Sequence, residues 1–246
     1  MELARAKRAA ALAAGLLLSA SASAQSFDES WRQADALDAV LTTVGFSAAL
    51  TISLGADTPR AFWNGEGPVD ELMLHLGSED ATRRIRAGRT SDVLGLLTLV
   101  PSLLTDPILG YTSERTLGRE LGIVSLRSYA LTALIVATTK YGIRRHRPSC
   151  GANCSPGDHR SFISGHSAFV WTAASLTCVA HRHVDLFNSQ AARIASCASV
   201  VGLATTTSVL RMVARRHYFT DVLVGALVGL LSGWVLPAVA TYGFGG

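Results

Sequence analysis

The chain has 246 residues, 49% hydrophobic and only 16% charged, where an average soluble domain is about 25% charged. That composition excludes intrinsic disorder, which needs low hydrophobicity with high net charge, and 22 Gly and 7 Pro without a period exclude collagen-like or low-complexity architecture. A formal charge of +4 is too weak to argue for nucleic acid, while a mean hydropathy of +0.31 points toward a membrane. The length suits one domain with a small appendage.

Residues 1–24 read as a secretory leader. Arg5, Lys7 and Arg8 form its basic start, Ala9 to Ala20 its apolar run, and Ala22-Ser23-Ala24 a cleavage signature. The apolar run is shorter than the roughly 20 residues a spanning helix needs; the alternative is an uncleaved anchor helix. An exported bacterial protein is the simplest setting.

Long uncharged runs follow: Ala39–Ala56, Val93–Thr105, Leu121–Thr139 interrupted only by Arg127, Ser167–Ala180, Ile194–Leu210 and Val222–Gly246. At about 1.5 Å per residue, 20 helical residues cover the ~30 Å hydrocarbon core. The last run qualifies outright, and the others lengthen if arginines at their ends snorkel. Strand patterning is nearly absent. The expectation is an all-α, membrane-embedded bundle of about six helices. Asp57–Thr90, with the cluster Arg83, Arg84, Arg86 and Arg89, reads as a loop plus a short amphipathic helix facing solvent or lipid headgroups. Tyr111–Glu120 reads as a polar connection. The domain division is 1–24 leader, 25–90 helical and loop region, 91–246 catalytic region.

Three polar patches interrupt the apolar second half, each at a helix end: Lys140 to Pro148, Ser161 to His166, and Arg211 to Asp221. Between His166 and Arg211 lie two apolar runs and a polar turn. The chain therefore runs away along one helix and back along the next, and Arg211 returns to the end that holds His166. The first patch reaches the second through a loop alone. Lys140, Arg147, Ser164, His166, Arg211, His217 and Asp221 thus converge. Three fixed cations, a hydroxyl and helix N-terminal amides make an anion cradle suited to phosphate. His217 and Asp221 are spaced i,i+4, so on one helix the carboxylate holds the imidazole in one tautomer and leaves the other nitrogen free to attack. His166 is then placed to protonate the leaving oxygen. All but two of the 22 basic residues are arginine, and the only lysine outside the leader is Lys140.

Lys140…Arg147-Pro148, Ser164-Gly165-His166 and Arg211…His217…Asp221 together resemble the ordered motifs of the type 2 phosphatidic acid phosphatase (PAP2) and vanadium haloperoxidase superfamily, over roughly residues 91–246. The resemblance implies a phosphatase in which His217 is the nucleophile and forms a phosphohistidine. Asp221 would orient it, and His166 would act as acid and then as base. Lys140, Arg147, Ser164, Gly165 and Arg211 would bind the phosphoryl oxygens. No metal or other cofactor is implied, because fixed cations take the charge that Mg²⁺ carries elsewhere. Two positions depart from the commonest pattern. Ile163 stands where Pro usually precedes Ser-Gly-His, and Leu210 stands where Ser usually precedes Arg, which loses one phosphate contact or helix cap.

The residues outside the motifs take plainer readings. Arg144, Arg145, His146, Arg215 and Arg216 read as surface or headgroup contacts, and His159 and Arg160 as shaping the entrance. Arg127, inside an apolar run, calls for an interface or a polar partner. Cys150 and Cys154 form a small-loop disulfide if the compartment is oxidising; Cys178 and Cys197 read as buried free thiols.

The leading function is hydrolysis of a phosphomonoester or diphosphate of a lipid at the bacterial inner membrane, with the site facing the periplasm. The expected partners are a phosphorylated lipid and the bilayer, and no nucleic acid. Candidate substrates are phosphatidic acid, phosphatidylglycerol phosphate, isoprenyl diphosphates and lipid A. The alternatives are a soluble periplasmic acid phosphatase of the same superfamily, a vanadate-dependent haloperoxidase and a non-catalytic membrane protein.

Overall fold

A computed structural model describes residues 31–55, 60–63, 65–150 and 155–242. The leader at 1–24 lies outside the described residues. The helices are α1 (Ala36–Gly55), α2 (Pro68–Met73), α3 (Ala81–Val100), α4 (Asp106–Ser113), α5 (Arg115–Ile143), α6 (Gly165–His183), α7 (Gln190–Val213) and α8 (Phe219–Leu230). Among the described residues there is no strand, only an isolated bridge between Trp63 and Arg145. The all-α expectation holds.

Among the described residues, five helical stretches are long and apolar enough to cross a membrane: Ala36–Gly55, Ala81–Ser113, Arg115–Ile143, Gln190–Val213 and Phe219–Tyr242. The second corrects one expectation. The Arg83–Arg89 cluster is not a separate amphipathic helix but the first turns of α3, which Asp80 caps by accepting a hydrogen bond from the Arg83 backbone N–H. At Pro101–Thr105 a π-turn absorbs the missing donor of Pro101, and the chain runs on into α4. Tyr111–Glu120 is likewise no open connection. Glu114 alone breaks the chain, with extended backbone, and α5 starts at Arg115.

α6 is the sixth long helix and the least lipid-like. It carries Ser167, Thr172, Ser175, Thr177 and His181 buried within the protein. It packs against α3, α5, α7 and α8. A helix enclosed by protein on most sides needs no apolar exterior, and one of these hydroxyls, that of Thr172, pairs with Thr132 of α5 at 2.8 Å. By contrast α1 shows Leu37, Val40, Leu41, Val44, Leu50 and Leu54 on its outer face.

α8 and the π-turn that continues it, Leu231–Val235, approach α6 along Gly225, Gly229 and Gly233. A Cβ at Gly229 would sit 2.4 Å from the Ala168 carbonyl oxygen, and one at Gly225 would sit 2.6 Å from that of Ser164. The stripe lets the backbones touch, and so brings the start of α8 to the start of α6, where the Ser164 N–H donates to the Asp221 carbonyl at 2.9 Å. At the opposite end Arg127 pairs with Asp38 of α1 at 2.8 Å, the polar partner its position calls for.

Cys178 and Cys197 are not free thiols. The α6–α7 hairpin sets them opposite one another, with Cα atoms 4.8 Å apart, and they form a disulfide. Cys150 is also disulfide-bonded; Cys154, its expected partner, lies outside the described residues.

Candidate active site

The three patches meet at one end of the bundle. Lys140 lies in the last turn of α5, His166 in the first of α6, Arg211 in the last of α7, and His217 in the turn before α8. Left-handed backbone at Arg144 and Arg215 terminates α5 and α7 and turns the chain inward. A cavity of about 610 Å³ is lined by Lys140, Arg147, Gly165, His166, Arg211 and His217, with Asp92, Gly95, Leu96, Leu99, Phe169 and Val170 completing its walls. Polar groups converge at one end of an apolar hollow, the usual form of a ligand site.

Two of the eight anticipated residues do not line this cavity. Ser164 is fully buried and is the N-cap of α6, its hydroxyl accepting from the Ser167 N–H. Asp221 is also fully buried and lies behind His217.

The relation between His217 and Asp221 differs from the i,i+4 expectation. His217 precedes α8, so the two do not share a helix face. The ring is held by the Ser161 backbone carbonyl, 2.8 Å from Nδ1. A carbonyl only accepts, so the hydrogen is on Nδ1 and Nε2 keeps its lone pair. Asp221 Oδ2 is 3.7 Å from Nδ1, beyond hydrogen-bond range but close enough for charge attraction. Burial pushes the His217 imidazole down to about 3, with the Lys140 and Arg211 charges adding to it and Asp221 opposing. The ring is neutral at every ordinary pH.

Asp221 instead anchors a network that includes Arg145, which corrects the surface reading of that arginine. Arg145 is fully buried. Its guanidinium donates to Asp221 at 2.7 Å, to Asp70 at 2.6 Å, to Thr220 at 2.8 Å and twice to the Gly65 carbonyl, so all five N–H donors are used. The rings of Trp63 and Tyr218 cover it at 3.9 and 4.0 Å. Burial works against ionisation of Asp70, but hydrogen bonds from Arg145 and Thr220 hold its carboxyl below the usual range. Asp221 also accepts from the Ser161 hydroxyl and from the Tyr218 N–H. Arg145 thereby ties the loop that carries the Ser161 carbonyl to the start of α8. No sequence signal marked it, because its partners lie about 75 residues away on either side.

Three further placements complete the cradle. Lys140 donates to the Arg160 carbonyl at 3.0 Å. Arg147 is pulled below the ordinary arginine value by burial and by the charge of Arg216. Gly165 lies against the end of α5: a Cβ there would press on Val136 Cγ1 at 3.3 Å and would touch Lys140 Cε at an ordinary 3.5 Å. The departures from the family pattern cost little here. Ile163 is fully buried beside Val136 and Ala168, and α7 runs past Leu210 to Val213, so no cap is lost there. Among the described residues no cluster of three or more His, Cys, Asp or Glu has the arrangement of a metal site.

Asp92 was not anticipated as a site residue. Its Oδ1 lies 2.9 Å from His166 Nε2 and 3.0 Å from Arg211 Nη1. It occupies donors that a phosphoryl oxygen would use. Asp92→Asn is expected to tighten competitive inhibition by inorganic phosphate by roughly threefold, a modest gain because the Asp92 side chain is 58% exposed and its charge is screened. An unchanged or weakened inhibition constant would show that Asp92 does not compete with the anion.

No solved structure matches the chain. The sequence profile of the PAP2 superfamily matches residues 122–243, the stretch from α5 to the end of the α8 region that supplies Lys140, Arg147, His166, Arg211 and His217. Because this profile spans the residues that form the cradle, the chain belongs to the PAP2 superfamily, whose members are phosphatases.

Proposed function

We propose that the protein hydrolyses the phosphate ester or diphosphate of a lipid through a phosphohistidine. The observation that carries this reading is the single cavity in which Lys140, Arg147, Arg211, His166 and His217 face apolar walls of Leu96, Leu99, Phe169 and Val170. The cations hold the phosphoryl oxygens. The lone pair of His217 Nε2 attacks phosphorus, an N–P bond forms and the P–O bond to the lipid breaks. His166 gives its proton to the departing oxygen. It then takes one from water, which attacks phosphorus; the N–P bond breaks, and inorganic phosphate leaves with His217 restored. The fixed cations stabilise charge on the transferring group without reorganising.

We place the protein in a bacterial inner membrane with this site toward the periplasm. The support is the disulfide-bonded Cys150, in the loop after Arg147 at the cradle end. Three crossings precede Lys140, by α1, by α3 with α4, and by α5. This orientation therefore puts the start of α1 on the cytoplasmic side, and a start of α1 on the outside would instead put the cradle in the cytoplasm. Labelling of Cys150 in intact cells by an impermeant reagent, after reduction, separates the two; shielded thiols overturn the periplasmic placement.

The function is tested by phosphate release from purified protein in mixed micelles, using phosphatidic acid, an isoprenyl diphosphate and p-nitrophenyl phosphate. The lipid substrates are expected to be favoured in kcat/KM by at least about tenfold, the scale on which apolar pocket contacts discriminate. Equal rates on the soluble ester, with release of the protein by alkaline carbonate, would replace this reading by that of a soluble acid phosphatase.

A further inference from the structure

A separate cavity, of about 220 Å³, runs along the far half of α6 and shares no residue with the walls of the cradle. Trp171, Ser175, Cys178 and Arg182 line it from α6, Val201 from α7 and Trp234 from the π-turn Leu231–Val235. The α6 positions follow one another by four, three and four residues, so they form one stripe on one helix face. From Trp171 to Arg182 the stripe rises about 16 Å at 1.5 Å per residue, the depth of one leaflet of a ~30 Å hydrocarbon core. The walls are fixed. The Trp171 indole N–H donates to the Ser208 hydroxyl of α7 at 3.3 Å, and the Cys178–Cys197 disulfide ties α6 to α7. Gly233 brings the π-turn against α6, where an added Cβ would stand 2.8 Å from Ser175 Cβ. Arg182 is the one charged wall. It lies in the last turn of α6, at the end away from the cradle, and is exposed. Among the described residues no carboxylate pairs with it, and Asp185, the nearest in sequence, faces Arg193 at 3.6 Å. Ser175 is the other polar wall. Its buried hydroxyl has no partner in the protein and is able to turn to a carbonyl of its own helix when hydrocarbon lies against it.

We propose that this slot holds one anionic phospholipid of the leaflet opposite the cradle, with its phosphate on Arg182 and one acyl chain lying between Trp171 and Trp234. Charge and shape select the occupant. The unpaired guanidinium at the headgroup end offers parallel N–H donors to a phosphate, and the remaining walls offer hydrocarbon and aromatic surface over the length of a leaflet. A transmembrane helix, about 10 Å across, is too wide for a slot of this volume. A zwitterionic lipid brings no net charge to Arg182. No histidine lines the slot, so a lipid held there is bound and not cleaved. The proposal depends on the membrane-spanning helices and not on the phosphatase reading.

The test uses the tryptophans of the slot as reporters. The full-length protein is placed in dioleoyl phosphatidylcholine vesicles, and dibrominated phosphatidylglycerol or dibrominated phosphatidylcholine is added as a quencher, with excess inorganic phosphate to occupy the cradle. In wild type, half-maximal quenching is expected at an about tenfold lower mole fraction of the anionic lipid, the scale of one charge-assisted hydrogen-bonded contact. Arg182→Gln is expected to abolish that preference and Arg182→Lys to keep part of it. Hydrolysis of p-nitrophenyl phosphate should stay within about twofold in both, because Arg182 is remote from the cradle. Val201→Phe narrows the slot and is expected to lower quenching by both lipids alike. Equal quenching by the two headgroups in wild type, or a preference that survives Arg182→Gln, overturns the proposal. So does a Val201→Phe protein whose oligomeric mass in detergent changes while its quenching does not, which would assign this face to a second copy of the chain.

Discussion

His217→Ala is expected to lower kcat by about 10⁴-fold or more, the scale of losing a nucleophile, and to abolish any acid-labile phosphoenzyme trapped in the wild type. The size follows from how completely the ring is committed. The Ser161 carbonyl takes the Nδ1 hydrogen at 2.8 Å, so only Nε2 is left for chemistry. Burial holds the imidazole at about 3, so protonation of His217 removes no activity above about pH 4. Any acidic limb seen above that pH belongs to another group. The stability consequence has the opposite range. Unfolded, the imidazole titrates at its ordinary 6.5, while the native ring stays neutral down to about 3. The stability contributed by the neutral buried ring is complete above 6.5 and is lost progressively as the pH falls from there toward 3. A variant that keeps the wild-type rate would refute the nucleophile.

The second large effect is expected at Arg145. Arg145→Met removes the cation that pairs with both Asp70 and Asp221, each buried, and leaves two carboxylates without that ion-pair partner. Breaking a buried pair in this way costs about 3–5 kcal/mol. The thermal midpoint in detergent should fall sharply, and kcat should fall with it as the Ser161 loop and the start of α8 lose their common anchor. Arg145→Met with Asp70→Asn is expected to recover part of the stability, because one of the two stranded charges is gone. An Arg145→Met protein that melts at the wild-type temperature would show that the network is dispensable. Acid should weaken the same network. Asp70 is held below the ordinary carboxylate range, so its contribution is full above about pH 4 and is lost as the pH falls through the lowered native value.

The helical character of the chain, its long apolar runs and the meeting of the three polar patches were legible in the sequence, because each follows from local composition and from an even number of helices between His166 and Arg211. Element boundaries were less legible. Asp57–Thr90 looked like a loop with a short helix of its own, yet its Arg83–Arg89 cluster opens the long helix α3. Tyr111–Glu120 looked like a loop because charge clusters there, yet only Glu114 leaves the helix. Cys178 and Cys197 looked like isolated thiols because nothing in a linear reading says which faces of α6 and α7 oppose one another.

Residue types determined the chemistry that this protein carries: three cations, two histidines and a carboxylate in a fixed order, at the ends of apolar helices. That much needs only composition, spacing and the length of a helical turn. The tertiary structure alone decided which of them face the cavity and which stand behind it. Ser164 became a cap, Asp221 a member of an ion network, and Arg145, on a linear reading one surface arginine among several, became the buried centre of that network. Asp92 entered from α3 to face His166 and Arg211. The physical reason is the same in each case. A buried charge is tolerable only where partners satisfy it, and those partners come from segments 75 or more residues away that meet only when the helices pack.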